Sequence, residues 1–435
     1  MDDPALTLAQ RLAALWNHLG IRAAHVAAQM AGDVAALVAD APERAAGVVL
    51  CVPSRLDPAP FAGIAGRVLM IAGDGDLTDA VTARALPRLP GAERQVLAGY
   101  LAPGWADVVA DRTGAITGWM GSFLDRFRAD TPRAVAPEGD VAGVSYRIQG
   151  SGPALVLLPF FLAPSQWEAA IPVLARRFSV VTLGGRHLGG IAALEDRARA
   201  PSYRAMVRTL LSQMAPRAGE AILDIGSGSG ALDRMVARLW PDSPLTAVDV
   251  NPFLQREAKA LAAEEGLGDA IAFLPGSAEA LPFPDGSFDC VFSVTVLEEC
   301  DADLALREAW RVLRPGGRLG VVVRAIDLPQ WWNLTLPEGL RARANTPPQS
   351  VGPRGVADAS LYRRMRAAGF SELVCFPSLV TLDRPDGPIW RYREDHVLSL
   401  LSPEETRTWH ALTDAARRDG VLMMAHPMHC VVGSR

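Results

Sequence analysis

The chain has 435 residues, of which 49% are hydrophobic and 21% charged. That length implies two or three domains at roughly 100–200 residues each, and the composition excludes an intrinsically disordered chain. Lys and Arg total 43 against 48 Asp and Glu, a net charge of −5 with no basic run, which argues against a nucleic-acid partner.

Short β-branched runs alternate with Ala/Leu/Arg-rich helical stretches, the pattern of an α/β protein built on mainly parallel sheets. In chain order, buried strands are expected at Gly47–Val52, Arg67–Ala72, Ala154–Pro159, Ser179–Leu183, Ala221–Ile225, Pro244–Val248, Cys290–Ser293 and Leu319–Val323. Arg128–Gly143 reads as a linker, with two prolines, two glycines and five charges, and Gly184–Gly190 as a loop with four glycines. Pro329–Gly355, with five prolines and the pair Trp331 and Trp332, reads as a long irregular segment; such loops are usually functional. A domain boundary is expected near residue 200, giving domains 1–200 and 201–435. No uncharged apolar run reaches 18 residues, so no membrane span is expected. Cys51, Cys290, Cys300, Cys375 and Cys430 show no ligand spacing. With an opening Met1-Asp2-Asp3 unlike a signal peptide, they suggest reduced thiols and a cytoplasmic location.

The densest chemical signal is Ala221-Ile-Leu-Asp-Ile-Gly-Ser-Gly-Ser-Gly230. A buried strand ends at Ile225, glycines follow at 226, 228 and 230, and a helix begins near Leu232. Glycines permit a tight turn and close backbone approach to a ligand. A dinucleotide fingerprint would space them G-x-G-x-x-G. Here the spacing is G-x-G-x-G, and Asp224 precedes it. That acid would repel a pyrophosphate and suits a ligand with a cationic amino group. Asp249 follows 25 residues after Asp224 at the tip of the next strand, where a carboxylate can accept hydrogen bonds from ribose hydroxyls.

From about Pro216 to Arg324 the chain resembles a class I methyltransferase of the broad family that includes ubiquinone and menaquinone C-methyltransferases. The resemblance rests on Asp224–Gly230, Asp249, Gly276-Ser-Ala-Glu-Ala-Leu-Pro-Phe-Pro-Asp-Gly-Ser-Phe-Asp289, Val296-Leu-Glu-Glu299 and Arg311-Val-Leu-Arg-Pro-Gly-Gly317, with Leu361–Phe370 and His426–Gly433 resembling the last helix and final strand. It implies a Rossmann-like, seven-stranded sheet, S-adenosylmethionine as cofactor and S-adenosylhomocysteine as product. The implied cofactor residues are Asp224, Gly226, Ser227, Gly228, Asp249, Val250, Ser277, Ala278 and Ser293. Ser277 stands where many relatives carry an acid, and Glu299 where many carry a histidine.

Transfer from a sulfonium needs alignment and water exclusion above all, and a base only if the acceptor retains its proton. Candidate bases are Glu298, Glu299, Asp327, His396, His426 and His429, with Glu299 and His426 the two catalytic candidates. Arg324, Asp327, Trp331 and Trp332 are the substrate candidates, because ligands in this fold bind beyond the carboxyl ends of the strands; Arg324–Trp332 is expected to act as a lid. The expected activity is methylation of a small molecule, with a non-catalytic S-adenosylmethionine-binding or sensory protein and a protein or RNA methyltransferase as the rivals.

The first half resembles an α/β-hydrolase whose later half precedes its earlier half. Leu19–Gly32 is similar to the strand and elbow before the nucleophile helix, Arg67–Asp76 to the strand carrying the acid, and Tyr146–Leu158 to the family's beginning. The elbow G-x-S-x-G falls on Ala28-Gln-Met-Ala-Gly32, with Met30 in place of serine, and Tyr100–Trp105 offers no histidine. The resemblance therefore implies an inert, circularly permuted domain, which could serve as a scaffold, a substrate-pocket wall or a homo-oligomer surface.

Overall fold

A computed structural model describes residues 6–101, 108–160, 164–349, 351–383 and 387–435. It divides into a first unit ending at Ala192 and a second, Ala193–Arg435. The division falls within the helix Gly189–Arg199, whose last residues belong to the second unit. The reason is local: Glu195 and Arg197, from the end of that helix, make their hydrogen bonds to Ser229, Arg234 and Thr295.

In the first unit the strands are β1 (Ala24–Ala28), β2 (Ala45–Cys51), β3 (Val68–Ala72), β4 (Glu93–Val96), β5 (Glu138–Val141), β6 (Val144–Gln149), β7 (Ala154–Leu157) and β8 (Ser179–Gly184). They form one sheet in the order β4-β3-β2-β1-β7-β8-β6-β5. The run from β4 to β8 is parallel, and β6 is antiparallel to β8 and to β5. Every residue of β1, β2, β3 and β7 is buried, as a parallel sheet covered on both faces requires. Val26 and Val48 pack on one face with Leu15 and Trp16, while Ala27 and Val49 pack on the other with Ile116 and Phe123. Strands from 24–72 and from 144–184 therefore share one sheet. The expected linker Arg128–Gly143 contains the edge strand β5, joined to β6 by a turn in which Ala142 and Gly143 both take positive φ. Of the stretch searched for a histidine, residues 102–105 lie outside the described residues.

The second unit contains β9 (Ile222–Ile225), β10 (Leu245–Asp249), β11 (Ile271–Pro275), β12 (Phe288–Val294), β13 (Leu313–Arg324), β14 (Trp331–Trp332), β15 (Ser371–Leu382) and β16 (Met424–Ser434). Their order is β11-β10-β9-β12-β13-β16-β14, with β15 also paired to β16. The strands β9 to β13 are parallel, and β16 is antiparallel to its three neighbours. The sheet has eight strands instead of the expected seven, because Trp331 and Trp332 pair with Ala425 and Met424. Alternation along the strands gives two cores. Ile222, Phe292, Val322 and Cys430 face Tyr203, Leu210 and Met214 of the helix Pro201–Met214. Leu223, Val291, Val321 and Val431 face Ala305 and Leu306 of the helix Ala302–Val312, together with Leu361 and Met365. The parallel strands consequently end side by side, and the turns that follow them form one continuous edge. The expected irregular segment Pro329–Gly355 is partly ordered, holding β14 and the helix Glu338–Ala344. Among the described residues no helix is long and apolar enough to cross a membrane.

Candidate active site

The turn after β9 is shaped by its glycines. Gly226, Gly228 and Gly230 take φ of 83°, 56° and 71°, a left-handed region that side chains rarely enter. A Cβ at Gly226 would overlap Val296, and one at Gly230 would press on the Phe273 ring at 3.0 Å. The amides of Gly226 and Ser227 both donate to Val248 O, at 2.8 and 3.0 Å, which bends the turn over the tip of β10. Gly230 then caps the helix Ala231–Leu239.

Asp249 ends β10. Its Oδ2 accepts the Gly228 amide at 2.9 Å and its Oδ1 the Asn251 amide at 2.9 Å. Burial raises its pKa, and those two N–H groups oppose the rise. Val250 follows, exposed at the strand tip. Ser277 and Ala278 occupy the turn beyond β11, next to Gly276, whose amide donates to Asp249 O at 3.1 Å. The Ser277 hydroxyl accepts the Glu279 amide at 3.2 Å. Ser293 is buried in β12 and donates to Ile225 O at 3.0 Å, which makes its hydroxyl a brace between strands.

A third acid joins Asp224 and Asp249. Asp233, in the first turn of the following helix, is fully buried, and neither carboxyl oxygen has a hydrogen-bond donor among the described residues. Burial raises Asp233 to about 7, against the nearby Asp224 carboxyl and the Arg234 charge, which lower it. Asp224 rises well above its ordinary value through burial first, then through the neighbouring Asp233 and the Asp249 charge. Carboxyls crowded in low dielectric resist ionising together. The turn is therefore lined by acids that hold their protons more tightly than ordinary carboxyls.

Opposite the turn, Thr295 follows β12 with φ of 60°. A β-branched residue in that region is a genuine outlier, and such strain gathers at functional sites. Its hydroxyl accepts from Arg197 Nη1 at 2.9 Å and donates to Val294 O at 2.7 Å. The Arg197 guanidinium stacks 5.1 Å from the Tyr203 ring centroid. Behind the turn Glu195 pairs with Arg234 at 2.7 and 2.8 Å and accepts from Ser229 at 2.7 Å. Asp233, Thr295, Arg197 and Tyr203 were absent from the sequence expectations. Only Asp233 left a sequence signal, as an acid in the first turn after the glycines.

The acceptor-side candidates separate. Glu298 is buried, accepts the Arg324 amide at 2.8 Å, and leaves Oε2 unpartnered among the described residues; burial raises its pKa. Glu299 is half-exposed, 3.7 Å from Arg324, so the buried acid at this edge is Glu298. His426 is buried on the face that carries Tyr203. His429 lies on the opposite face and pairs with Asp327 at 2.8 Å, while Asp327 also accepts the Ala359 amide. His396 lies on the helix Pro388–Leu400. Trp331 is 48% exposed, whereas Trp332 is 3% exposed. Trp332 makes edge contacts with Trp390 and Trp409 at 5.2 and 4.9 Å and donates its N–H to Ala344 O. It is a core residue, which corrects its expected part in a lid.

A parallel sheet extended by an antiparallel β16, a glycine turn after the central strand and an acid at the next strand tip define a Rossmann-like methyltransferase domain. Residues 223–321, within the second unit, match the family model described as a methyltransferase domain. The chain is similar to the ubiquinone/menaquinone biosynthesis C-methyltransferase of Hahella chejuensis, 42% identical over 28% of this chain and 49% of the relative. The enzyme of the same name from Marinomonas sp. is 36% identical over 28% and 49%. Among solved structures, the geranyl diphosphate C-methyltransferase of Streptomyces coelicolor A3(2) is similar at 18% identity over 53% of this chain and 79% of that one, with a TM-score of 0.33. The chain spans about half the length of the curated relatives it matches.

Proposed function

We propose that the second unit transfers a methyl group from S-adenosylmethionine to a small-molecule acceptor and releases S-adenosylhomocysteine. The observation that carries this reading is the acid-lined glycine turn. On losing their protons to a cationic ligand, Asp224 and Asp233 would offer negative charge to its ammonium and sulfonium, and a phosphate beside them would be repelled. Asp249, already oriented by two amides, keeps lone pairs free for ribose hydroxyls. Ser277 and the Ala278 amide are assigned to the adenine ring, and Val250 to its face. When bound, the cofactor supplies an electrophilic methyl carbon: the acceptor's electron pair forms the new bond while the carbon–sulfur pair returns to sulfur. The chain aligns the acceptor, excludes water and receives any proton. Glu298 is our assignment for that last role, because burial raises its basicity and one oxygen is unpartnered among the described residues. The curated relatives are named C-methyltransferases, which favours a carbon acceptor. The reading retains the expectation of a cytoplasmic protein.

The test is incubation with methyl-tritiated S-adenosylmethionine and a fractionated cell extract. Label in a small-molecule fraction is the expected result. Label confined to protein or RNA, or absent despite cofactor binding, would contradict it and favour a macromolecular methyltransferase or a non-catalytic binding protein respectively.

For the first unit we propose an inert, circularly permuted hydrolase-like domain. Support comes from the single sheet shared by β1–β3 and β6–β8 and from the strand–turn–helix at β1. Met30 occupies the elbow with φ of −77°, so both the nucleophile and the usual strained turn are missing. The two candidate acids are used structurally: Asp74 accepts the Gly99 amide and Asp76 caps the helix Leu77–Ala85. Purified protein should not hydrolyse p-nitrophenyl acetate above the buffer rate; hydrolysis blocked by a serine-directed reagent would refute the assignment.

A further inference from the structure

His426 lies just past the carboxyl end of the parallel strands. One flank of β16 pairs with β13 as far as Arg324 opposite Met428, and with β14 from Trp331 opposite Ala425. His426 therefore stands at the break where the chain leaves the sheet between those strands, on the edge where ligands bind in this fold. Alternation along β16 puts it on the face of Met424 and Met428, which pack in one core with Tyr203, Trp390 and Val397. Arg393 shares a face of the helix Pro388–Leu400 with Trp390 and Val397, three and four residues away. It is buried and donates from Nη1 to the Gln330 amide oxygen at 3.1 Å.

The His426 ring is 4% exposed, and neither nitrogen has a hydrogen-bond partner among the described residues. Burial first, then the charges of Arg393, Arg197 and Arg324, hold its pKa well below the ordinary value, so the ring is neutral. The Pro427 carbonyl, which accepts the Ala325 amide at 3.2 Å, opposes that shift without meeting hydrogen-bond geometry at the ring. A neutral imidazole has one N–H donor and one lone pair to satisfy. Leaving both unmet in the interior costs stability, which an apolar side chain of similar size would not. Orphaned buried groups of this kind call for a bound partner, solvent or ligand. Glu298, at the same edge, likewise leaves Oε2 unpartnered among the described residues.

We propose that His426 is a specificity-determining residue for the methyl acceptor, giving one hydrogen bond to, and accepting one from, an uncharged polar group of it such as a hydroxyl. This rests on the methyltransferase reading of the same unit. His426 holds the acceptor's polar group at the break in the sheet, and Glu298 is left to receive any proton.

The test uses full-length wild type, His426→Leu and His426→Gln. Each is assayed for transfer from methyl-tritiated S-adenosylmethionine into the small-molecule fraction of a cell extract, for urea unfolding, and for calorimetric binding of S-adenosylhomocysteine. His426→Leu should unfold at an equal or higher urea concentration than wild type and bind S-adenosylhomocysteine with nearly unchanged affinity. It should transfer label at least about tenfold more slowly. His426→Gln keeps a donor and an acceptor and should recover part of the rate. Wild-type transfer by His426→Leu would overturn the proposal and leave the ring nitrogens to a buried water. A His426→Leu protein less stable than wild type would overturn it too, by making His426 a packing residue. So would a His426→Gln protein as slow as His426→Leu, which would assign the loss to shape and not to hydrogen bonding. Absence of label transfer by wild type would instead sink the methyltransferase reading, and this assignment with it.

Discussion

Asp249 and Gly228 hold each other in place: the carboxylate Oδ2 accepts the glycine amide at 2.9 Å. The acid at the tip of β10 thus fixes the turn at the tip of β9, and the turn fixes the acid. One hydrogen bond links the two features that the sequence offered separately, and it makes the pocket a single unit.

The turn leaves no room for a side chain at Gly226, where a Cβ would overlap Val296 and φ is 83°. Gly226→Ala should abolish measurable cofactor binding and lower stability by about 1–3 kcal/mol through strain, read from urea unfolding and calorimetry. Unchanged affinity would show that the turn is not part of the pocket.

Asp233 makes stability depend on pH. A carboxyl whose folded-state pKa exceeds its unfolded value stabilises the fold below the unfolded value, and that contribution fades as pH rises through the folded one. With an ordinary value of 3.8 and a folded value of about 7, wild type should lose stability across that interval. Asp233→Asn should flatten the slope and be the more stable form above it, as measured by denaturation at a series of pH values. Cofactor binding should also release protons near neutrality, seen as a dependence of binding enthalpy on buffer ionisation.

The two adjacent tryptophans should behave differently. Trp332→Ala removes a ring packed against Trp390 and Trp409 and should cost about 3–5 kcal/mol. Trp331→Ala should change stability by less than about 0.5 kcal/mol, so any effect on KM or kcat would report the acceptor side directly.

Glu195 and Arg234 form a buried pair behind the turn. Glu195→Ala should cost about 1–3 kcal/mol, because it removes two charged hydrogen bonds from Arg234, which keeps Glu265 at 3.2 Å and Ser229 O at 2.8 Å. A loss below about 1 kcal/mol in urea unfolding would show that the pair is solvated.

Local patterns made the strands and the glycine turn legible, because buried parallel strands read as apolar runs and the turn requires glycine. Asp224, Asp249, Arg324 and His426 were visible as residue types at strand ends. The sequence did not show that Asp233 joins the acids, since a first-turn acid usually serves the helix dipole alone. Nor did it reveal Thr295, Arg197 or Arg393, whose proximity depends on helices packed from distant parts of the chain. The sequence put Glu299 ahead of Glu298 as a catalytic candidate, whereas the geometry buries Glu298 and leaves Glu299 half-exposed, and Trp331 and Trp332 were separated only when strand pairing sent them to opposite faces.

The central claim is tested most directly by calorimetric titration of the full chain with S-adenosylmethionine and S-adenosylhomocysteine, beside a folded Asp249→Ala control. The account predicts binding of both ligands by wild type and loss of at least about tenfold in the control, the scale of charged hydrogen bonds removed from a buried site. Absence of binding by wild type, or equal binding by the control, would contradict it.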